Sequence, residues 1–107
     1  KGLRLSGGQR QRLFISRELF REPDILILDE ATSALDSKSE SKIQDSIFKL
    51  KDKVSIVVIA HRLSTVYKAD MIYVMEKGSI VESGKYEDLM ASNNSVFYNM
   101  VKMHNLE

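Results

Sequence analysis

Ile25-Leu26-Ile27-Leu28 is a run of four apolar residues with no polar break, and it stops at the adjacent carboxylates Asp29-Glu30. A half-exposed strand would alternate and an amphipathic helix would show polar residues every turn. An unbroken run of this length suits a short strand covered on both faces. Val54–Ala60, rich in β-branched residues, reads the same way. Such strands need helices to cover them, and the chain supplies candidates. After Ser6-Gly7-Gly8-Gln9, the residues Leu13, Phe14, Ile15, Leu19 and Phe20 recur at about one helical turn. Ser6 and Gln9 match a capping box, a hydroxyl at the cap and an amide three residues on. Pro23 ends that helix, because proline disfavours helical geometry in the residue before it. Ser37 and Glu40 make a second capping-box match, ahead of Ile43, Ile47 and Leu50 on one helix face.

The rest of the chain continues the alternation. Met71–Met75 reads as a third strand, turning at Lys77-Gly78 into Ser79–Glu82. Gly84 breaks the pattern before a short helix around Tyr86–Met90, and Phe97, Met100, Val101 and His104 share one face of a terminal helix. Met75, Met90, Met100 and Met103 read as core or helix-packing residues, and His104 as packing or surface. The expected fold class is therefore α/β, with a largely parallel core sheet, flanking helices and a C-terminal antiparallel β-hairpin. At 107 residues the chain can be one domain at most, and it carries no repeat or linker-like tract. A net charge of +1 gives no general electrostatic case for nucleic acid. Zero cysteines exclude disulfides, thiolate zinc sites and cysteine nucleophiles. No apolar run approaches the roughly 20 residues that span a bilayer.

Two features carry chemistry. A strand ending in Asp29-Glu30 puts both carboxylates at the carboxyl edge of a sheet, where α/β folds bind ligands. Neighbours on an extended chain point in different directions, so one carboxylate can serve a metal ion while the other faces a water. The plainer reading is a strand terminated by solvated charge. In Leu5-Ser6-Gly7-Gly8-Gln9, glycines at a helix start let an anion approach exposed backbone N–H groups, helped by the helix dipole. The plainer reading there is an ordinary capped turn.

Combination and order decide between these readings. Leu5-Ser6-Gly7-Gly8-Gln9-Arg10-Gln11-Arg12 resembles the signature motif of ATP-binding cassette (ABC) ATPases, and Ile25–Glu30 resembles their Walker B strand with its glutamate. Ser33-Ala34-Leu35-Asp36 resembles the D-loop, and His61 in Ala60-His61-Arg62-Leu63-Ser64-Thr65 resembles the switch histidine. All four occur in family order and spacing through essentially the whole chain. The form of the histidine segment, with Ala69-Asp70 and Gly78–Gly84, looks most like the exporter branch.

The resemblance implies a partial P-loop NTPase fold and a set of roles. Ser6, Gly7, Gly8 and Gln9 would contact ATP held by the opposite subunit of a head-to-tail dimer. Asp29 would hold Mg²⁺ through water, Glu30 would act as general base, and His61 would touch the γ-phosphate. Asp36 would carry communication across the dimer interface. The implied partners are a second nucleotide-binding domain and a transmembrane domain, fused upstream or separate, at the cytoplasmic face of a membrane. A head segment of an ABC-type DNA-repair or chromosome-maintenance ATPase is the alternative. Coiled-coil heptads and a basic face would favour that alternative; no heptads appear in these residues, and a net charge of +1 gives a basic face no support.

The departures are equally informative. No Gly-x-x-x-x-Gly-Lys-Ser/Thr occurs, and the glutamine loop and adenine-stacking aromatic of the family are also absent from these residues. Residues 1–107 are accordingly expected to be the C-terminal part of one nucleotide-binding domain. Phe14, Ser16 and Glu18 stand where the family usually has small apolar residues, and Glu18 calls for a solvent-facing side. Arg10 and Arg12 read as solvated helix charge. Without a phosphate cradle, neither nucleotide nor metal is positioned against Asp29 and Glu30. The isolated 107-residue chain is therefore expected not to hydrolyse ATP. Phosphate release with Mg·ATP checks this, and turnover well above a Glu30→Gln control would contradict it.

Overall fold

Parallel strands cannot be joined by a tight turn, so a parallel pair requires a long crossover between its members. β1 (Ile25–Asp29) and β2 (Ser55–Ile59) form such a pair in register, from Ile25 opposite Ser55 to Asp29 opposite Ile59. The computed structural model describes residues 7–29 and 45–104, in two compact units, Lys1–Ile59 and Ala60–Glu107.

In the first unit, α1 (Gly7–Phe20) turns Ile15 and Leu19 onto the buried strand residues Leu26 and Leu28. Residues 45–48 are helical, and Ile47 and Leu50 join the same cluster with Val54 and Ile56. Burying each strand leucine rather than leaving it in water is worth about 1.5–3 kcal/mol. α1 closes as its sequence demands. Arg21 and Glu22 N–H groups bond back to the Glu18 and Leu19 carbonyls at 3.2 and 2.8 Å, and Glu22 takes φ 54° just ahead of Pro23. Ser6, Ser37, Glu40 and Ile43, which carry the capping and helix expectations, lie outside the described residues.

One expectation is corrected here. The unbroken apolar runs suggested strands covered on both faces, yet Ile25, Ile27, Val57 and Ile59 are between 50% and 63% exposed. They share one sheet face, because side chains alternate along each strand and the register sets Ile27 beside Val57. The helical residues of the cluster cover only the other face. On α1 the apolar spacing is likewise only partly used: Leu13, Phe14 and Phe20 are exposed, and Glu18 is half-buried rather than fully solvent-facing.

The second unit contains α2 (Leu63–Tyr67), the hairpin β3 (Ile72–Glu76) and β4 (Ser79–Gly84), α3 (Tyr86–Met90) and α4 (Val96–His104). The hairpin turns at Lys77 and Gly78, with φ 51° and 82°. Two successive positive φ values are what a two-residue hairpin turn requires, and glycine adopts one without strain. Ile72, Val74, Leu89 and Phe97 form the core, and Tyr86 meets the rings of Tyr67 and Phe97 edge-on at 4.9 and 5.8 Å. Met90 packs against this core as expected, whereas Met75, Met100 and Met103 are exposed. The outward register of the hairpin accounts for Met75, since it lies opposite Ile80 on the face away from Val74. The side chains of Arg12 and His104 lie outside those described.

A carboxylate ties the hairpin to the last helix. Glu82 on β4 accepts the Val96 and Phe97 N–H groups at 2.6 and 2.9 Å, satisfying two donors that the start of α4 leaves without helical partners. The Ser95 hydroxyl accepts the Tyr98 N–H at 2.9 Å and donates to the Leu89 carbonyl at 2.8 Å. A negative charge at a helix start also complements the dipole.

Two outcomes follow. The bare face of β1 and β2 should make the isolated chain self-associate, and Ile27→Thr with Val57→Thr should reduce the association. Sedimentation at several concentrations reads this; a monodisperse monomer before substitution would contradict it. Glu82→Ala should lower amide-exchange protection at Val96 and Phe97 on the order of tenfold, with little change at Ile15 and Leu28. Unchanged protection at α4 would show that the carboxylate does not hold it.

Candidate functional site

Of the described candidate site residues, all but His61 lie in the first unit. Asp29 is the last residue of β1, half-buried, at the carboxyl end of a parallel pair and opposite Ile59. Ligands of open α/β sheets bind at that end. A carboxylate there is held by a strand whose own leucines are anchored in the core. Gly7 and Gly8 open the 14-residue α1, with Gln9 exposed in its first turn. The first N–H groups of a helix have no partner within it, and no acidic residue stands in this first turn to oppose an anion.

His61 is exposed and belongs to the second unit, two residues beyond Ile59 in the chain. Arg62 after it is extended, with φ −116° and ψ 137°, and α2 starts at Leu63. The structure thus brings Asp29 and the opening of α1 into one unit and puts His61 in the other. Ser6, Glu30 and Asp36 lie outside the described residues. Arg10 is exposed, as read from the sequence.

Mg²⁺ takes hard oxygen donors and uses one or two carboxylates together with phosphate oxygens and water, rather than a dedicated protein cage. Asp29 fits that role. Among the described residues no group of three or more His, Asp or Glu could form a cage by itself. An open cavity of about 420 Å³ in the second unit is lined by Tyr67, Ala69, Asp70, Lys85, Tyr86 and Glu87, none of them singled out as a site residue by the sequence. Sequence reasoning also passed over Thr65, the one buried polar side chain among the described residues.

Comparison with known proteins points to the same family. The "ABC transporter" family profile matches residues 1–33, which contain Ser6–Gln9, Asp29 and Glu30. The heterocyst differentiation ATP-binding protein HepA of Nostoc sp. is 58% identical over 97 residues, covering 91% of this chain and 16% of that protein. The ABC multidrug transporter MDR2 of Trichophyton rubrum is 50% identical over 107 residues, covering 100% of this chain and 8% of that protein. The chain belongs to the ABC ATP-binding family, in its exporter-type branch. ABC transporter B family member 21 of Arabidopsis thaliana is 46% identical over 104 residues, 97% of this chain and 8% of that protein. The ABC fold assignment agrees with the parallel pair, its covering helices and the antiparallel hairpin. The chain spans 8–16% of the length of these relatives. The described helices include none long and apolar enough to cross a membrane.

Proposed function

We propose that residues 1–107 are the C-terminal part of the nucleotide-binding domain of an ABC exporter, in which ATP binding and hydrolysis drive movement of a substrate across a membrane. The observation that carries this reading is the in-register parallel pair that ends in Asp29, on a chain 50% identical throughout to a multidrug transporter. Relatives named as transporters favour the exporter over the DNA-repair alternative.

In this reading the chain serves two composite ATP sites in a head-to-tail pair of domains. Ser6, Gly7, Gly8 and Gln9 meet the phosphates of ATP held by the partner domain, using backbone N–H groups at the positive end of α1. Asp29 holds Mg²⁺ through water. The ion, when bound, neutralises charge on the phosphates. Glu30 orients a water and accepts its proton as the oxygen attacks the γ-phosphorus, and ADP departs with the bridging oxygen. His61 contacts the γ-phosphate and keeps Glu30 and the water aligned. Asp36 links the two sites across the interface. The transmembrane domain is fused upstream or is a separate chain, and the ATP-binding part lies at the cytoplasmic face. Each role asks for positioning and charge, which is what phosphoryl transfer mostly needs.

The two adjacent carboxylates separate experimentally in the full-length protein. Glu30→Gln keeps shape and removes the base, so it should leave nucleotide binding intact, cut turnover by on the order of 10²-fold or more, and accumulate an ATP-bound dimer. Asp29→Asn should weaken Mg²⁺-dependent nucleotide binding as well as turnover. Equilibrium binding with and without Mg²⁺, beside single-turnover hydrolysis, reads both. Parental turnover in Glu30→Gln, or loss of binding as complete as in Asp29→Asn, would contradict these roles.

A further inference from the structure

In a regular strand, residues two apart share a face. Ile80 and Glu82 on β4 do not. Ile80 lies opposite Met75, and both are exposed, at 59% and 62%, whereas Glu82 lies opposite Val74, which is buried. Between those two pairs the register shifts, and Val81 is passed over. β4 therefore carries a bulge, one extra residue that turns everything beyond it onto the other face. Ahead of the bulge, the turn at Lys77-Gly78 sets the pairing, with Glu76 opposite Ser79. Continued without a shift, that pairing would set Val81 opposite Val74, Glu82 opposite Tyr73 and Ser83 opposite Ile72. Valine would then face the core and glutamate would face water, the ordinary arrangement for a strand covered on one side. The hairpin departs from it: Val81 is 44% exposed and Glu82 is half-buried.

What the bulge supplies is the aim of one carboxylate. On the inner face Glu82 accepts the Val96 and Phe97 N–H groups, and Phe97 is buried in the same core as Val74. In the regular register the carboxylate would stand beside exposed Tyr73, on the face away from Val74, and the start of α4 would lose both bonds. We propose that the hairpin is a register switch set by α4. The bulged register and the docked helix hold each other, and loss of the Glu82 bonds lets β4 slip to the regular register, burying Val81 beside Val74. Slipping also brings Ser83 in place of Gly84 opposite Ile72, next to Leu89, so the bulged register leads while Glu82 is bonded. A one-residue slip inverts every side chain beyond it, so release of α4 reaches the far face of the hairpin. A carboxylate then appears there among Tyr73, Met75 and Ile80.

Cross-strand contacts between backbone protons, read by NMR, distinguish the two registers directly. The measurement uses the 107-residue chain carrying Ile27→Thr and Val57→Thr, which limits association through the bare face of the first unit. Before further change, Tyr73 should contact Ser83 and Val74 should contact Glu82. In Glu82→Ala, Tyr73 should move to residue 82 and Val74 to Val81. Should the alanine hairpin lose its pairing altogether, Glu82→Gln, which keeps the size and removes the charge, takes its place. Adding Val81→Asp to either variant would bury a charge in the regular register, so the bulged pairing should return. Deleting Val81 removes the bulge and leaves Glu82 opposite Val74. Amide-exchange protection at Val96 and Phe97 should then stay within about twofold of the parent, against a loss on the order of tenfold in Glu82→Ala. Parental pairing in the variant that lacks the carboxylate, a regular register that persists with Val81→Asp, or loss of α4 protection on deleting Val81 would each overturn the switch.

Discussion

Parallel pairing of β1 with β2 is the constraint on which the first unit depends. Two strands running the same way put both carboxyl ends at one edge, and the register sets Asp29 opposite Ile59 there. The connection between them must cross over, so helix has to pack on the sheet, and Ile47 and Leu50 with Ile15 and Leu19 of α1 do so. The same leucines that anchor β1 therefore fix where its terminal carboxylate stands.

The second unit is organised differently. Its strands are antiparallel and joined by a two-residue turn, which needs no covering helix for connection. The helices that do pack on it are held by discrete contacts: Glu82 at the start of α4, and the edge-on rings of Tyr67, Tyr86 and Phe97. These are polar or aromatic fastenings around a small apolar core, and a unit with so few buried residues depends on them more than a large domain would.

Much of this was legible in residue order. Ile25–Leu28, Val54–Ala60, Pro23 and Lys77-Gly78 each act locally, through side-chain period or backbone preference, so strand, helix end and turn could be read without partners. The motifs were legible because their order is itself information, and the family match confirms the family they pointed to. What escaped was non-local. An apolar run states what can be buried and not what covers it, which is why the exposed face of Ile25, Ile27, Val57 and Ile59 was missed. Glu82 and the N–H groups it accepts are 14 and 15 residues apart, beyond any capping pattern. Met75 and Met103 are apolar enough for a core but lie on outward faces, and α2 has too few residues to show a period.

The central claim is that the opening of α1 meets ATP held by a second domain. Ser16 is exposed on α1 and has no assigned role in the site, so spin labels there on both ATP-binding domains report their separation without touching the chemistry. In the full-length protein carrying Glu30→Gln, the label–label distance should shorten to one narrow distribution with Mg·ATP and return to a longer, broader one when nucleotide is removed. An identical distribution with and without nucleotide would contradict the account.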